Sequence, residues 1–152
     1  ACGAQNTWRE QDVFRSLSNV VCAHCGAVIN AIPCDYVGIL AEENFRLLRG
    51  RKTAIWPMTS AVTEFLDITP SAWREDVVLI DSSKNKQGAL YRGKRICPPA
   101  VIDEENISVV FISVTTSVAT EIIDALQTKH PSVKHILFLG DIISENFKEM
   151  IE

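Results

Sequence analysis

From residue 53 onward the chain alternates short apolar runs with longer amphipathic ones. The apolar runs are "TAIW", "DVVLID", "ISVVFISV" and "KHILFLG". Each has strand length. Their apolar positions are continuous rather than alternate, the pattern of strands covered on both faces and hence of a parallel sheet. After the first run, Thr59 or Ser60 can cap a helix that buries Val62, Phe65 and Leu66. Between the last two runs, "TTSVATEIIDALQTKH" sets Val118, Ile122 and Leu126 at helical spacing. The segment "KNKQGALYRGKRICPP" is too polar and glycine-punctuated for a full crossover helix. A loop or short hairpin is expected there, then a brief helical turn around residues 99–103. Without a long helix at that point the third strand returns beside the first. The expectation is a four-stranded parallel sheet of order 2-1-3-4, with right-handed crossovers and Ile55 buried in a central first strand.

The pattern before residue 50 differs. Thr7 and Glu10 have capping-box spacing, and Val13, Phe14 and Leu17 share one helical face. "NVVCAHCGAVINAIPC" reads as extended, with a tight turn at Cys25-Gly26. A second helix over residues 37–49 would bury Leu40, Phe45 and Leu48 and stop at Gly50. The predicted organisation is a helical, cysteine-rich head over residues 1–50 and an α/β domain over residues 51–152. The fold class is α/β, with a small parallel Rossmann-like sheet.

Composition narrows the function classes. The chain has 152 residues, 47% hydrophobic and 22% charged, with a net charge of -4. That balance offers no field to attract nucleic acid or anionic lipid. The basic clusters in residues 46–52 and 84–94 are short, interrupted and read first as solvated faces. No apolar run approaches the ~20 residues of a membrane span, and no signal-peptide pattern opens the chain. A cytoplasmic location is the expectation, with no membrane and no nucleic-acid partner.

Five cysteines are present, four of them crowded near the start: Cys2, Cys22, Cys25 and Cys34, with Cys97 apart. An odd, clustered set suits thiolate metal ligands better than a disulfide framework. Cys22-Ala23-His24-Cys25-Gly26 has the form of a zinc knuckle, and Cys2 and Cys34 would complete four ligands for one structural zinc ion. A set of small buried residues is the other reading. Thiol redox chemistry is not favoured, since the pair does not join a strand to a helix.

The strand–turn–helix from residue 53, the strand ending at Asp81, "KNKQGALYRGKRICPPAVI" and "ISVVFISVTT" together resemble a small Rossmann-like module. Such modules bind nucleotides or sugar-nucleotides and are attached to sugar acyltransferases and sugar C-methyltransferases. In the family's "G-x-x-V-x-x-P"-like segment, Gly93, Ile96 and Pro98 or Pro99 take the matching positions. The resemblance covers residues 51–141 and is one of pattern. It implies a nucleotide, nucleotide-sugar or small anionic metabolite as ligand.

One stretch departs from the family. Where a Gly-x-Gly turn brings backbone close to a pyrophosphate, this chain has Pro57-Met58-Thr59-Ser60. NAD is therefore not expected, while one anionic group could still be held by hydroxyls and helix N–H groups. The candidate ligand-binding residues are Thr59, Ser60, Asp81, Ser113, Thr115, Thr116 and Ser117, all at strand ends. Asp81 would accept from sugar hydroxyls, or alternatively cap the turn over Ser82 and Ser83. His24, His130 and His135 join no catalytic pattern, and none of G-x-S-x-G, H-E-x-x-H or a P-loop occurs. The expected function is a ligand-binding module working with a carbohydrate- or metabolite-modifying enzyme. The alternative is a non-catalytic interaction module with a degenerate nucleotide site and a zinc-stabilised head.

Overall fold

The computed structural model describes residues 20–21, 28–29 and 32–152. Strands β1 (Val20–Val21) and β2 (Val28–Ile29) pair antiparallel and lead to helix α1 (Ile32–Arg46). Next come β3 (Thr53–Trp56), α2 (Ser60–Ile68), β4 (Val77–Ile80), β5 (Leu90–Tyr91) and β6 (Lys94–Cys97). The chain continues through α3 (Val101–Glu104), β7 (Val109–Ile112), α4 (Ser117–Lys129), β8 (His135–Phe138) and α5 (Phe147–Met150). Short 3-10 helices lie at Pro70–Trp73 and Leu139–Ile143.

The main sheet has six strands in the order β5-β6-β4-β3-β7-β8. All neighbours are parallel except β5 and β6. The fold is thus α/β with a mostly parallel sheet, and it is larger than the expected four strands. The polar segment supplies the difference. Arg92 (φ 47°) and Gly93 (φ 87°) form a two-residue turn in the left-handed region, the geometry that folds a tight hairpin. Its second strand then lies along β4, with Leu79 opposite Ile96 and Ile80 opposite Cys97.

Successive residues of each central strand serve opposite faces. Ile55, Leu79, Val109 and Phe111 belong to one buried cluster, and Ala54, Trp56, Ile80, Val110 and Ile112 to the other. Helices α1 and α2 cover the first face, α3 and α4 the second. Phe45 of α1 lies 5.6 Å from Phe65 and 6.0 Å from Phe111, whose ring stacks at 6.2 Å on Phe147. Aromatic contacts of this kind tie four elements across one face. The buried Asn44 side chain donates to Ile142 O at 2.7 Å and Ser144 O at 2.9 Å, pinning α1 to the segment after β8. The chain before Gly50 therefore contributes a helix to the α/β core.

Two expectations need correction. Helix α1 spans Ile32–Arg46 rather than residues 37–49, so "IPC" is helical rather than extended. Pro33 suits a first turn, where its missing N–H would have no intrahelical partner. In α4 the buried residues are Ala119, Ile122 and Leu126, while Val118 is 44% exposed. The helix starting at Thr7, together with Cys2, Cys22 and Cys25, lies outside the described residues. Among the described residues no helix is long and apolar enough to cross a membrane.

Candidate functional site

The loops leaving β3 and β7 diverge to opposite faces of the sheet, since α2 covers one face and α4 the other. Adjacent parallel strands whose crossovers separate in this way leave a crevice at their carboxyl ends. A cleft of about 550 Å³ opens there, lined by residues following β3, β7 and β8. It brings together Thr59, Ser60, Ser113, Thr115 and Thr116.

Their hydroxyls divide into two groups. Thr59 Oγ1 donates to Ser113 Oγ at 3.2 Å, and Ser113 Oγ donates to Pro57 O at 2.5 Å. These two residues tie the β3 and β7 loops together. The hydroxyls of Ser60, Thr115 and Thr116 are exposed and make no hydrogen bond among the described residues. Thr59 and Thr116 stand at the N-caps of α2 and α4 with extended backbone, and neither side chain caps its helix. The first-turn N–H groups of both helices are left without that partner.

Two carboxylates complete the cleft. Glu64 lies one turn into α2, and its Oε2 is buried with no hydrogen-bond partner among the described residues. Asp141 Oδ2 accepts from Phe138 N at 2.7 Å. Burial pushes the Asp141 carboxyl above its usual range, against the lowering effect of that N–H. The lining thus offers hydroxyl and N–H donors beside carboxylate acceptors, a mixture that suits a polyhydroxylated molecule carrying one anionic group.

Asp81 and Ser117 fall elsewhere. Ser117 is the first residue of α4 and is absent from the cleft lining. Asp81 is 4% exposed and its carboxylate is engaged within the chain. Oδ2 accepts from Met58 N at 3.1 Å and from Lys86 Nζ at 2.9 Å, and Oδ1 accepts from Ser83 N at 2.8 Å. Lys86 Nζ also donates to Met58 O at 2.9 Å. At the turn where glycine would admit a phosphate, a side-chain carboxylate meets the backbone N–H instead. The capping reading of Asp81 over Ser83 describes this geometry.

Sequence reasoning missed Glu64 and Asp141. Glu64 is one polar position on an otherwise amphipathic helix, and Asp141 enters through the loop after β8, which no motif marks. Among the described residues no group of three or more His, Cys, Asp or Glu side chains is placed to hold a metal. Of the expected zinc ligands, Cys34 has its backbone in α1, and the other three lie outside the described residues. No protein-family model, curated protein or solved structure matches the chain.

Proposed function

We propose that the chain is a Rossmann-like ligand-binding module. Its ligand is a sugar phosphate, mononucleotide or nucleotide-sugar, held over the carboxyl ends of β3, β7 and β8. The observation that carries this reading is one cleft combining three uncommitted hydroxyls with two uncapped helix N-termini. The anionic group would sit on Ser60, Thr115, Thr116 and the helix N–H groups, and the carboxylates would accept from sugar hydroxyls. Thr59 and Ser113 hold the loops, Asp81 sets the edge at β4, and Ser117 opens α4 behind them. NAD would bind poorly, because the N–H of the β3–α2 turn is already matched to Asp81. The module would serve a carbohydrate- or metabolite-modifying enzyme in the cytoplasm, in keeping with the resemblance drawn from residues 51–141.

Thermal shift with glucose 1-phosphate, UMP, UDP-glucose and NAD tests it. A ligand at ~100 times its Kd adds about 2.7 kcal/mol to folded stability. A second reading rests on the Asp81 arrangement: a turn closed by its own carboxylate is what a degenerate nucleotide site would show, leaving an interaction module. No response to any of the four compounds by a well-folded protein would favour it. In either reading we propose one zinc ion on Cys2, Cys22, Cys25 and Cys34 of the head, supported by the knuckle form of the sequence.

A further inference from the structure

Among the described residues, phenylalanine is otherwise a core residue. Phe45, Phe65, Phe111 and Phe147 are 0% exposed and meet one another ring to ring. Phe138 differs on both counts. It is 39% exposed and makes no aromatic or cation–π contact among the described residues. Leaving that much of a large apolar ring in water forgoes the stabilisation that burial brings. The exposed residue belongs to the lining of the cleft over β3, β7 and β8.

Strand register shows which way it faces. Phe138 ends β8 and pairs with Ile112, which ends β7. Paired residues of neighbouring strands share a face, and Ile112 belongs to the cluster under α4. Both residues line the cleft, and Thr115 and Thr116 run from the end of β7 to the first turn of α4. The other large apolar residues of the lining, Ile112 and Leu139, are only 1% and 4% exposed. Phe138 is therefore the large apolar surface that a molecule in the cleft would meet. Neighbouring strands lie about 4.8 Å apart. The order β3-β7-β8 thus sets Phe138 one strand beyond Thr115 and Thr116 and two strands beyond Ser60. Such a spacing suits a phosphate and a flat ring held apart by a pentose. Asp141 Oδ2 accepts from Phe138 N at 2.7 Å, which sets an acceptor for pentose hydroxyls beside this residue.

We propose that Phe138 is the base-stacking platform of this cleft, so that the ligand is a nucleotide, free or as the nucleotide half of a nucleotide-sugar. The inference rests on the cleft being a ligand site. The phosphate takes the N-terminal ends of α2 and α4, the pentose faces the carboxylates, and the base lies flat on Phe138. A plain sugar phosphate fills the anion end and leaves the ring in water. Stacking a base on an aromatic side chain is worth about 5- to 150-fold in affinity.

UMP and ribose 5-phosphate share the pentose and the phosphate and differ by the base, so their comparison isolates the stacking. Their Kd values are measured by amide chemical-shift titration of the parent protein, Phe138→Leu and Phe138→Tyr. UMP should bind the parent at least about fivefold more tightly than ribose 5-phosphate. Phe138→Leu keeps an apolar side chain and removes the π face. It should abolish that advantage and leave the affinity for ribose 5-phosphate unchanged, while Phe138→Tyr should retain the advantage. Nuclear Overhauser contacts should join the uracil protons to the Phe138 ring protons. Equal affinity for the two compounds in the parent, or an advantage of UMP that survives Phe138→Leu, would overturn the stacking assignment and leave the cleft reading standing. Binding of neither compound would overturn the cleft reading and this inference with it.

Discussion

Replacing Asp81 with alanine withdraws one acceptor from three donors at once. The N–H of Met58 is buried, that of Ser83 is partly buried, and Lys86 is half exposed. A buried donor left unpaired costs about 1–3 kcal/mol. The Met58 N–H carries that in full and the Ser83 N–H in part. The Lys86 ammonium can return to water and adds little, as exposed ion pairs do. Asp81→Ala should therefore destabilise the fold by about 2–4 kcal/mol. At roughly 2–4 °C per kcal/mol for a chain of this size, the midpoint should fall by about 4–16 °C. The space left is shaped for a small anion facing two N–H groups and an ammonium. Formate or acetate should restore part of the loss in the variant and have no such effect on the parent protein. Urea denaturation at constant pH and ionic strength, with and without formate, measures both. A loss under about 0.5 kcal/mol, or no selective rescue, would refute the claim that this carboxylate fills the turn.

Phe45→Ala should cost about 3–5 kcal/mol in the same assay, the range for truncating a core phenylalanine. A cost near zero would mean that α1 does not belong to the α/β core. Asp141, raised by burial, gives a pH signature: its contribution to stability is present below its unfolded pKa and is lost as pH rises through the folded value. Asp141→Asn should accordingly be favourable at pH 7 relative to the parent and lose that advantage near pH 3, checked by denaturation at the two pH values. Protein purified without chelator should carry near-stoichiometric zinc by elemental analysis, and Cys22→Ser should release it while sparing the sheet's far-UV signal.

The runs of β3, β4 and β7 were legible because burial on both faces leaves a continuous signature, and the sheet's parallel sense follows from it, while β8 at the edge is continuous in sequence yet only partly buried. Val62, Phe65 and Leu66 were legible for the related reason that one helix face meets the core. The strand of Lys94–Cys97 was not. Its side chains are mostly polar or half exposed, and what places it against β4 is the turn at Arg92-Gly93 together with backbone pairing. The start of α1 was hidden by Pro33, which reads as a breaker in sequence yet fits a first helical turn. At the cleft, hydroxyls at strand ends were readable from topology. Which of them are free was not, because Thr59 and Ser113 find each other only across 54 residues of chain. Glu64 and Asp141 carry no local signal, and only packing brings them to the same opening.

The most direct measurement is an amide chemical-shift titration of the full chain with glucose 1-phosphate and with UMP, repeated on Ser60→Phe. The account predicts saturable shifts at Ser60, Ala61, Thr115 and Thr116, loss of those shifts in the variant with the rest of the spectrum intact, and no comparable response to NAD. Tight NAD binding, or a well-dispersed spectrum that none of these compounds perturbs around Ser60 and Thr116, would contradict it.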